Sequence, residues 1–405
     1  MARPHVLIIV ENIGAGQDTR ARKQIDSLLD RGFRVSVVSP RCDANEAFRG
    51  RADLRVYEYA APPSGTGALA YLVEYAYALL VSAVLGLRAR VAGRIDVVQL
   101  CAPPDLFVVL GWLFRLVGAR VVVDQRDLLS ELYAARYGNG ASLVPSLLRM
   151  LERASQRSAD QVLVVNRTLE ERAIHAAGVK PEHVVVVRNG PVLSSVASAR
   201  PDPSLRRGKR TLACWSGVMG RQDRLDLLVD AIAMLVHGHG RTDCLFALVG
   251  DGETRDEARD RARSLGLETW VCFPGWVDEK TLFRYLATAD IGLDATLQSE
   301  VSPVKAVEYM AFGVPFVAFD LPETRRTGSD AAVYVAPGDV GALAAGIEHL
   351  LCNGGERRAR GEQGRIRVER ELAWDRQADG YLSAISAVAA LATREGPRAR
   401  AFARP

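Results

Sequence analysis

Short runs of apolar, mostly β-branched residues recur along the chain, each followed by a stretch whose apolar positions return every three or four residues. The first run, residues 5–10, leads into Glu-Asn-Ile-Gly-Ala-Gly and then a helical pattern over 19–30; Gly32 follows, and a second run covers 35–38. Strand, glycine loop, helix and strand in this order predict the opening unit of a doubly wound sheet. Further runs lie at 97–100, 121–124, 162–165 and 184–187, with helical patterns at 106–117, 147–158 and 170–177 between them. Strands so short and so uniformly apolar belong in parallel sheets covered on both faces. Residues 189–209 lose all periodicity and hold Pro191, Pro201, Pro203, several serines and the pair Arg206-Arg207, the signature of a linker. The grammar then restarts: strand 212–215, glycine loop 216–220, helix 225–237, and apolar runs at 245–249, 270–273, 291–293, 315–319 and 332–335. The pattern alone predicts an α/β protein of two Rossmann-like, doubly wound parallel-sheet domains, and ligands of such sheets bind at the carboxyl ends of the strands, so a cleft between the domains is the expected site.

Composition sharpens this picture in three places. The 405 residues, 48% apolar and 25% charged, exclude a disordered or fibrous chain, and a net charge of +4 gives no basis for a nucleic-acid binder. Six scattered cysteines without a CxxC pair, and a His237-Gly-His239 pair in a polar loop with no partner ligand nearby, predict reduced thiols, a cytoplasmic location and no bound metal. The longest apolar stretch, residues 75–87, has 13 residues between Glu74 and Arg88, too few to span a bilayer. It and the run around 106–117, which contains Arg115, read either as two core helices or as an apolar, arginine-flanked face resting on a membrane surface.

The glycine loops exclude some chemistry. Gly14 and Gly16 follow the first strand, but Thr19 stands where a dinucleotide fingerprint needs its third glycine, and the second strand ends Val38-Ser39-Pro40 without the carboxylate that holds a ribose. An oxidoreductase is therefore disfavoured; the two glycines serve either close backbone approach to a nucleotide phosphate or a tight turn. The sharpest constellation is residues 299–315, Ser-Glu-Val-Ser-Pro-Val-Lys-Ala-Val-Glu-Tyr-Met-Ala-Phe-Gly-Val-Pro. Ser302 suits an N-cap, Pro303 the first helical position, and Gly313 the helix end. Lys305 then stands at the third helical position, where a cation opposes the helix dipole by roughly 0.3–1 kcal/mol. The placement makes sense with an anion between the lysine and the helix start, which favours a nucleotide-diphosphate clamp over a Lys305–Glu308 pair on a solvated face.

Glu300 and Glu308 stand eight apart, as in the E-x7-E arrangement of retaining glycosyltransferases of the GT-B fold, family 4, and the 302–315 string resembles that family's donor-site motif. Asp18-Thr-Arg20, Asp124-Gln-Arg-Asp-Leu128 with Glu131-Leu-Tyr133, Asn189-Gly-Pro191, residues 217–223, Gly250-Asp-Gly252 and Phe273-Pro-Gly275 resemble its other segments in the same order, over roughly residues 4–385. The resemblance implies that Glu308 binds the ribose hydroxyls, that Glu300 contacts the donor sugar, and that the backbone at Val301, Ser302 and Pro303 holds the diphosphate with Lys305. Gly217, Arg221 and Arg224 would serve the diphosphate, and Gly275, Trp276 and Val277 the base. Asp18, Arg20 and Asp127 would lie on the acceptor side, and Arg126, at the family's histidine position, would be a fixed cation at the reacting centre.

The reaction so implied moves a sugar from a nucleotide-diphosphate sugar, a UDP-sugar before others, to a hydroxyl of a glycan, glycolipid or small molecule, with retention and without a metal cofactor. The implied division is an acceptor domain over 1–190 with a returning helix at 375–392, a linker over 191–206, a donor domain over 207–374, and a basic tail over 394–405 that suits the inner face of a membrane. Val218 and Asp223 stand where many relatives carry arginine and lysine. With Arg126, they motivate a second reading: a catalytically weak relative that binds a nucleotide sugar or serves as a partner subunit.

Overall fold

The computed structural model describes residues 3–61, 68–137, 143–298 and 302–394, and the chain divides into two units, residues 1–188 with 378–405, and residues 189–377. Each unit is built on a parallel sheet with helices against it.

The first unit's strands are β1 (His5–Ile9), β2 (Arg34–Pro40), β3 (Leu54–Tyr59), β4 (Val97–Ala102), β5 (Arg120–Gln125), β6 (Gln161–Val164) and β7 (Val184–Val186). They run side by side in the order β3-β2-β1-β4-β5-β6-β7. The helices are α1 (Thr19–Asp30), α2 (Ala68–Ala92), α3 (Val108–Leu116), α4 (Leu129–Tyr137), α5 (Val144–Ser158) and α6 (Arg167–His175). All of β1 is buried, as an apolar run sandwiched between helices must be. β3 was not expected from its sequence because Arg55 and Glu58 interrupt its apolar pattern; an edge strand tolerates them.

The second unit's strands are β8 (Thr211–Val218), β9 (Cys244–Asp251), β10 (Val271–Gly275), β11 (Ile291–Asp294), β12 (Phe316–Phe319) and β13 (Ala332–Val335), in the order β10-β9-β8-β11-β12-β13. Around them lie α7 (Leu193–Ser198), α8 (Leu225–Ala233), α9 (Arg255–Ser264), α10 (Glu279–Thr288), α11 (Val304–Ala311), α12 (Pro322–Gly328), α13 (Val340–Cys352) and α14 (Gly354–Arg367). The last helix, α15 (Trp374–Arg394), begins in the second unit and from Ala378 belongs to the first.

Three expectations are corrected. The 191–206 segment is no bare linker: it holds α7, and Leu193, Val196 and Leu205 pack on the second unit's core, tied down by Leu193 N–H donating to Asp375 (2.9 Å) and Trp374 N–H to the Pro191 carbonyl (2.9 Å). The 216–220 loop is shorter than expected, because Gly217 and Val218 still pair with Gly250 and Asp251. Glu74 and Arg88 flank the apolar run but do not bound its helix. They lie inside α2, whose 20 residues from Val73 to Ala92 are long and apolar enough to cross a membrane by length and composition. Here Ala78 and Ala89 of α2 are buried in the core over β1 and β4. The tail beyond Arg394 lies outside the described residues.

The first unit is tied together by charge as well as by apolar packing. Asp18 caps α1, accepting from Arg20 N–H (3.0 Å) and Ala21 N–H (2.9 Å). Two residues on, the buried Arg20 guanidinium forks onto the fully buried Asp124 at the end of β5 (2.7 and 3.0 Å) and donates to the Val187 carbonyl just past β7 (2.7 Å). Gln24 also donates to Asp124 (3.1 Å), Gln99 to Gln24 (2.9 Å), and the Tyr381 hydroxyl of α15 to Gln99 (2.8 Å). Burial alone would push the Asp124 carboxyl up, but the Arg20 and Arg126 charges and the hydrogen bonds from Arg20 and Gln24 bring it down to about 2.

Replacing Asp124 with Asn leaves Arg20 and Arg126 short of their shared counter-charge, so we expect Asp124→Asn to destabilise the protein by about 3–5 kcal/mol in thermal unfolding. Because an unfolded aspartate titrates near ~3.9, the carboxylate's contribution is complete above that pH and is lost as pH falls towards 2. The wild type's lead in Tm over the variant should therefore shrink on acidification through this window; a lead independent of pH would refute the assignment.

Candidate functional site

Two glycines shape the carboxyl edge of the second unit's sheet. A Cβ on Gly250 would lie 1.9 Å from the Gly217 carbonyl oxygen, and both residues hold φ near +145° (+141° and +148°), which only glycine adopts without strain. After β8 the chain turns through Arg221–Asp223, and Asp223 reaches back to accept from Gly220 N–H (3.3 Å).

α11 enters the same edge differently from the sequence expectation. Pro303 takes φ −78° and ψ 66°, the geometry of an inverse γ-turn, and Val304 N–H donates to the Ser302 carbonyl (2.8 Å). Ser302 therefore does not cap the helix, Pro303 precedes it, and Lys305 is its second residue. The N–H groups of Lys305 and Ala306 have no hydrogen-bond partner among the described residues, leaving donors and the positive end of the helix dipole at the edge of the sheet. Ser299, Glu300 and Val301 lie outside the described residues.

Lys305 is not a free cation. Its ammonium donates to Asp223 (2.5 Å), lies within reach of Asp294 at the end of β11 (3.5 Å) and Thr296 (3.4 Å), and sits 4.8 Å above the centre of the buried Trp215 ring. Burial would lower its pKa, but the carboxylates of Asp294 and Asp223 outweigh that and raise it. The alternative pairing with Glu308 does not form. Glu308 lies one turn along α11, half-buried, within electrostatic range of the buried Cys214 thiol. Asp294 and Thr296 escaped the sequence reading; the available signal was a carboxylate closing the apolar run of β11.

The remaining predicted residues are distributed around this edge. Arg224 is engaged bidentately by Asp226 (2.9 and 2.7 Å), and Arg221 lies 3.6 Å from Glu257. Both line an open groove of about 370 Å³ with Gly220 and Thr254. Gly275 closes β10 at φ +82°, Trp276 beyond it is 68% exposed, and Val277 packs partly on the core.

In the first unit the structure corrects several roles. Gly16 N–H donates to Asn45 (2.8 Å) and Ala15 N–H to Ser39 (3.3 Å), while a Cβ on Gly14 would strike the Cys42 sulfur and one on Gly16 the Ala44 carbonyl. These glycines serve close packing against residues 40–45, and the N–H groups of Ala15 and Gly16 are already engaged. Asp18 and Arg20 are fully engaged in the framework, so neither is available to an acceptor. Arg126 pairs with Asp18 and with Asp124 (3.2 Å) and donates to the Cys101 sulfur (3.2 Å), so its charge is compensated by two carboxylates.

Asp127 is different. Its half-buried carboxylate makes no side-chain hydrogen bond among the described residues, and burial raises its pKa against the opposing Arg126 charge. Glu11, which follows β1 and was not singled out, is buried and pushed up to about 7 by burial and by Glu74. Both are ionisable groups at carboxyl ends of this sheet.

The profile of the family described as "Glycosyl transferases group 1" matches residues 209–353, and that of "Glycosyl transferase 4-like domain" matches residues 15–190. The chain is 32% identical over 179 residues to the phosphatidyl-myo-inositol mannosyltransferase of Mycobacterium leprae, covering 42% of this chain and 44% of that protein. The chain thus aligns with less than half of that relative's length. Among solved structures, sucrose-phosphate synthase from Thermosynechococcus elongatus superposes with a TM-score of 0.78 at 19% identity, over 96% of this chain and 100% of that one. Anabaena HepE in complex with UDP-glucose superposes with a TM-score of 0.72 at 17% identity, over 95% and 99%. Likenesses at these identities establish the fold, and the two profiles together span most of the sequence. The chain belongs to the group 1 glycosyltransferases, and its two parallel-sheet units are the Rossmann-like domains of the GT-B fold.

Proposed function

We propose that this chain is a retaining, metal-independent glycosyltransferase that moves a hexosyl group from a nucleotide-diphosphate sugar, UDP-sugars before others, to an acceptor hydroxyl. The acceptor class is a cell-surface glycan or glycolipid, or a secondary metabolite. The observation that carries the reading is the start of α11. Two N–H groups unpartnered among the described residues, the positive end of a helix and Lys305 meet at the carboxyl edge of β8 and β11, with Glu308 one turn beyond. A diphosphate placed there would have donors for its oxygens, and in this reading Glu308, one turn further on, accepts from the ribose hydroxyls. Glu300 takes the donor sugar's hydroxyls in this reading. As the bond from the anomeric carbon to the diphosphate breaks, the acceptor oxygen bonds to the same face of that carbon, and a leaving phosphate oxygen takes the acceptor's proton. Stabilising the departing charge, rather than general-base catalysis, supplies most of the acceleration.

One feature favours the second reading, a weakly active nucleotide-sugar-binding relative. Lys305 is already neutralised by Asp223 and Asp294, and Arg126 by Asp18 and Asp124. Release of nucleoside diphosphate from a panel of UDP-, GDP- and dTDP-sugars separates the two. Turnover with one donor, unaffected by EDTA, is expected; ligand-induced stabilisation with no turnover on any donor would establish the weaker role.

For the site itself, Lys305→Ala and Glu308→Ala should each weaken UDP binding about tenfold or more in calorimetry, at least ~1.4 kcal/mol. Unchanged affinity in both would dispose of the assignment. Asp223→Asn should act in the opposite sense, tightening UDP several-fold, because it removes a carboxylate that competes with the diphosphate for Lys305. Weaker binding in this variant would instead mean that Asp223 holds Lys305 in its binding position.

A further inference from the structure

The first unit carries large apolar side chains on its outside, and they are ordered. On α2, Val73, Leu80, Val84 and Val91 are 60–89% exposed. Their spacings of seven, four and seven residues place them on a single stripe along the helix, and the exposed Arg88 continues it. The buried Ala78, Ser82 and Ala89 form the inner stripe, seated on the sheet. α3 repeats the arrangement: Phe114 and Leu110 point into the same core as α2, while Val109, Trp112 and Leu116 are exposed at spacings of three and four.

α5 packs against α3 and is turned inside out. Its buried positions are Glu152, Ser155 and Gln156, with Glu152 accepting from the Ser130 N–H (2.7 Å) and hydroxyl (3.0 Å), whereas Leu147 and Met150 are more than half exposed. A helix with polar residues inside and apolar residues outside is amphipathic towards something beyond its own domain.

Charge identifies what that is. The exposed charged groups beside the stripes are Arg88, Arg149 and Arg153; the only carboxylates on the three helices are Glu74, half-buried, and Glu152, buried. A second copy docked face to face through a two-fold axis would set arginine rims against each other. An anionic lipid surface meets both requirements at once: acyl chains for the apolar stripes, and headgroups for guanidiniums on long apolar stems. We propose that the outer face of α2, α3 and α5 docks peripherally on an anionic bilayer surface. The inference does not depend on the donor reading, since every residue it uses lies in the first unit.

The full chain should co-sediment with vesicles of phosphatidylcholine and phosphatidylglycerol, more weakly at high salt, and much less with phosphatidylcholine alone. The triple variant Leu80→Gln, Trp112→Gln, Leu147→Gln should lose roughly tenfold or more of that affinity while keeping its Tm and its UDP binding. Should the triple variant misfold, Arg149→Glu with Arg153→Glu should give the same loss without touching the apolar stripes. No binding to the anionic vesicles, or binding undiminished in the folded variants, overturns the proposal. So does a concentration-dependent dimer that the triple variant dissolves, which would make the face an interface between copies.

Discussion

Asp124 has no access to water, and that single fact organises the first unit. A buried carboxylate is tolerable only when counter-charges and donors reach it, and here they come from everything the unit must hold together. Arg20 comes from the first turn of α1, Arg126 from the chain just beyond β5, and Gln24 from the next turn of α1. Arg20 in turn reaches the chain after β7, and through Gln99 the network reaches Tyr381 on the returning α15. The Asp-x-Arg at the start of α1 and the Asp-x-Arg at the end of β5 are therefore two halves of one electrostatic joint. Arg126, standing at the histidine position of the resembled motif, belongs to this joint as much as to any reacting centre.

The second unit solves the same problem at its own carboxyl edge with the signs reversed. There the charge is a partly buried cation, Lys305, and the compensating carboxylates are Asp223 and Asp294, on the turn after β8 and at the end of β11. Asp223, which the resemblance puts at a lysine position, has a physical partner here in Lys305. In the proposed reading, a diphosphate arriving at α11 would meet an ammonium whose positive charge is shared, and the backbone N–H groups of the helix start would carry correspondingly more of the recognition. Under that reading, affinity would depend on the difference between two anions' hold on one lysine, and the identity of residue 223 would govern binding without touching the nucleotide.

The strands were legible because parallel sheets demand uninterrupted apolar runs, and 332–335 reads the same in sequence and in structure. What escaped was whatever that rule does not govern. β3 is an edge strand whose Arg55 and Glu58 break the pattern, and α7 hides among prolines and serines because only Leu193 and Val196 need to be apolar to seat it. In the candidate site, Lys305 stood out as a cation at a helix start, but its partners did not: Asp223 is 82 residues away in sequence and Asp294 is 11. Side-chain pairing across strand ends has no local spacing to read. The helix start itself was misplaced by one residue because the inverse γ-turn at Pro303 competes with Ser302 as a cap, and sequence spacing alone does not distinguish the two.

The two charge networks also bear on the outer face of the first unit. Polar side chains were drawn inward wherever a buried partner needed them: Glu152 to Ser130, Gln156 to Gln125 (3.3 Å), and Gln125 to the Asp127 carbonyl (2.7 Å). On α5 this claims the inward stripe for polar residues, yet a helix outside a soluble core ordinarily places its apolar residues on that stripe and polar ones outside. The chain instead keeps Leu147 and Met150 outward, beside Trp112 and Leu116 of the adjoining α3. Random exposure would scatter such residues among carboxylates and amides; here three neighbouring helices present apolar stripes with arginine as their only exposed charge. The interior of this unit explains why its polar groups point in, and the anionic bilayer surface proposed for this face accounts for why the rest points out.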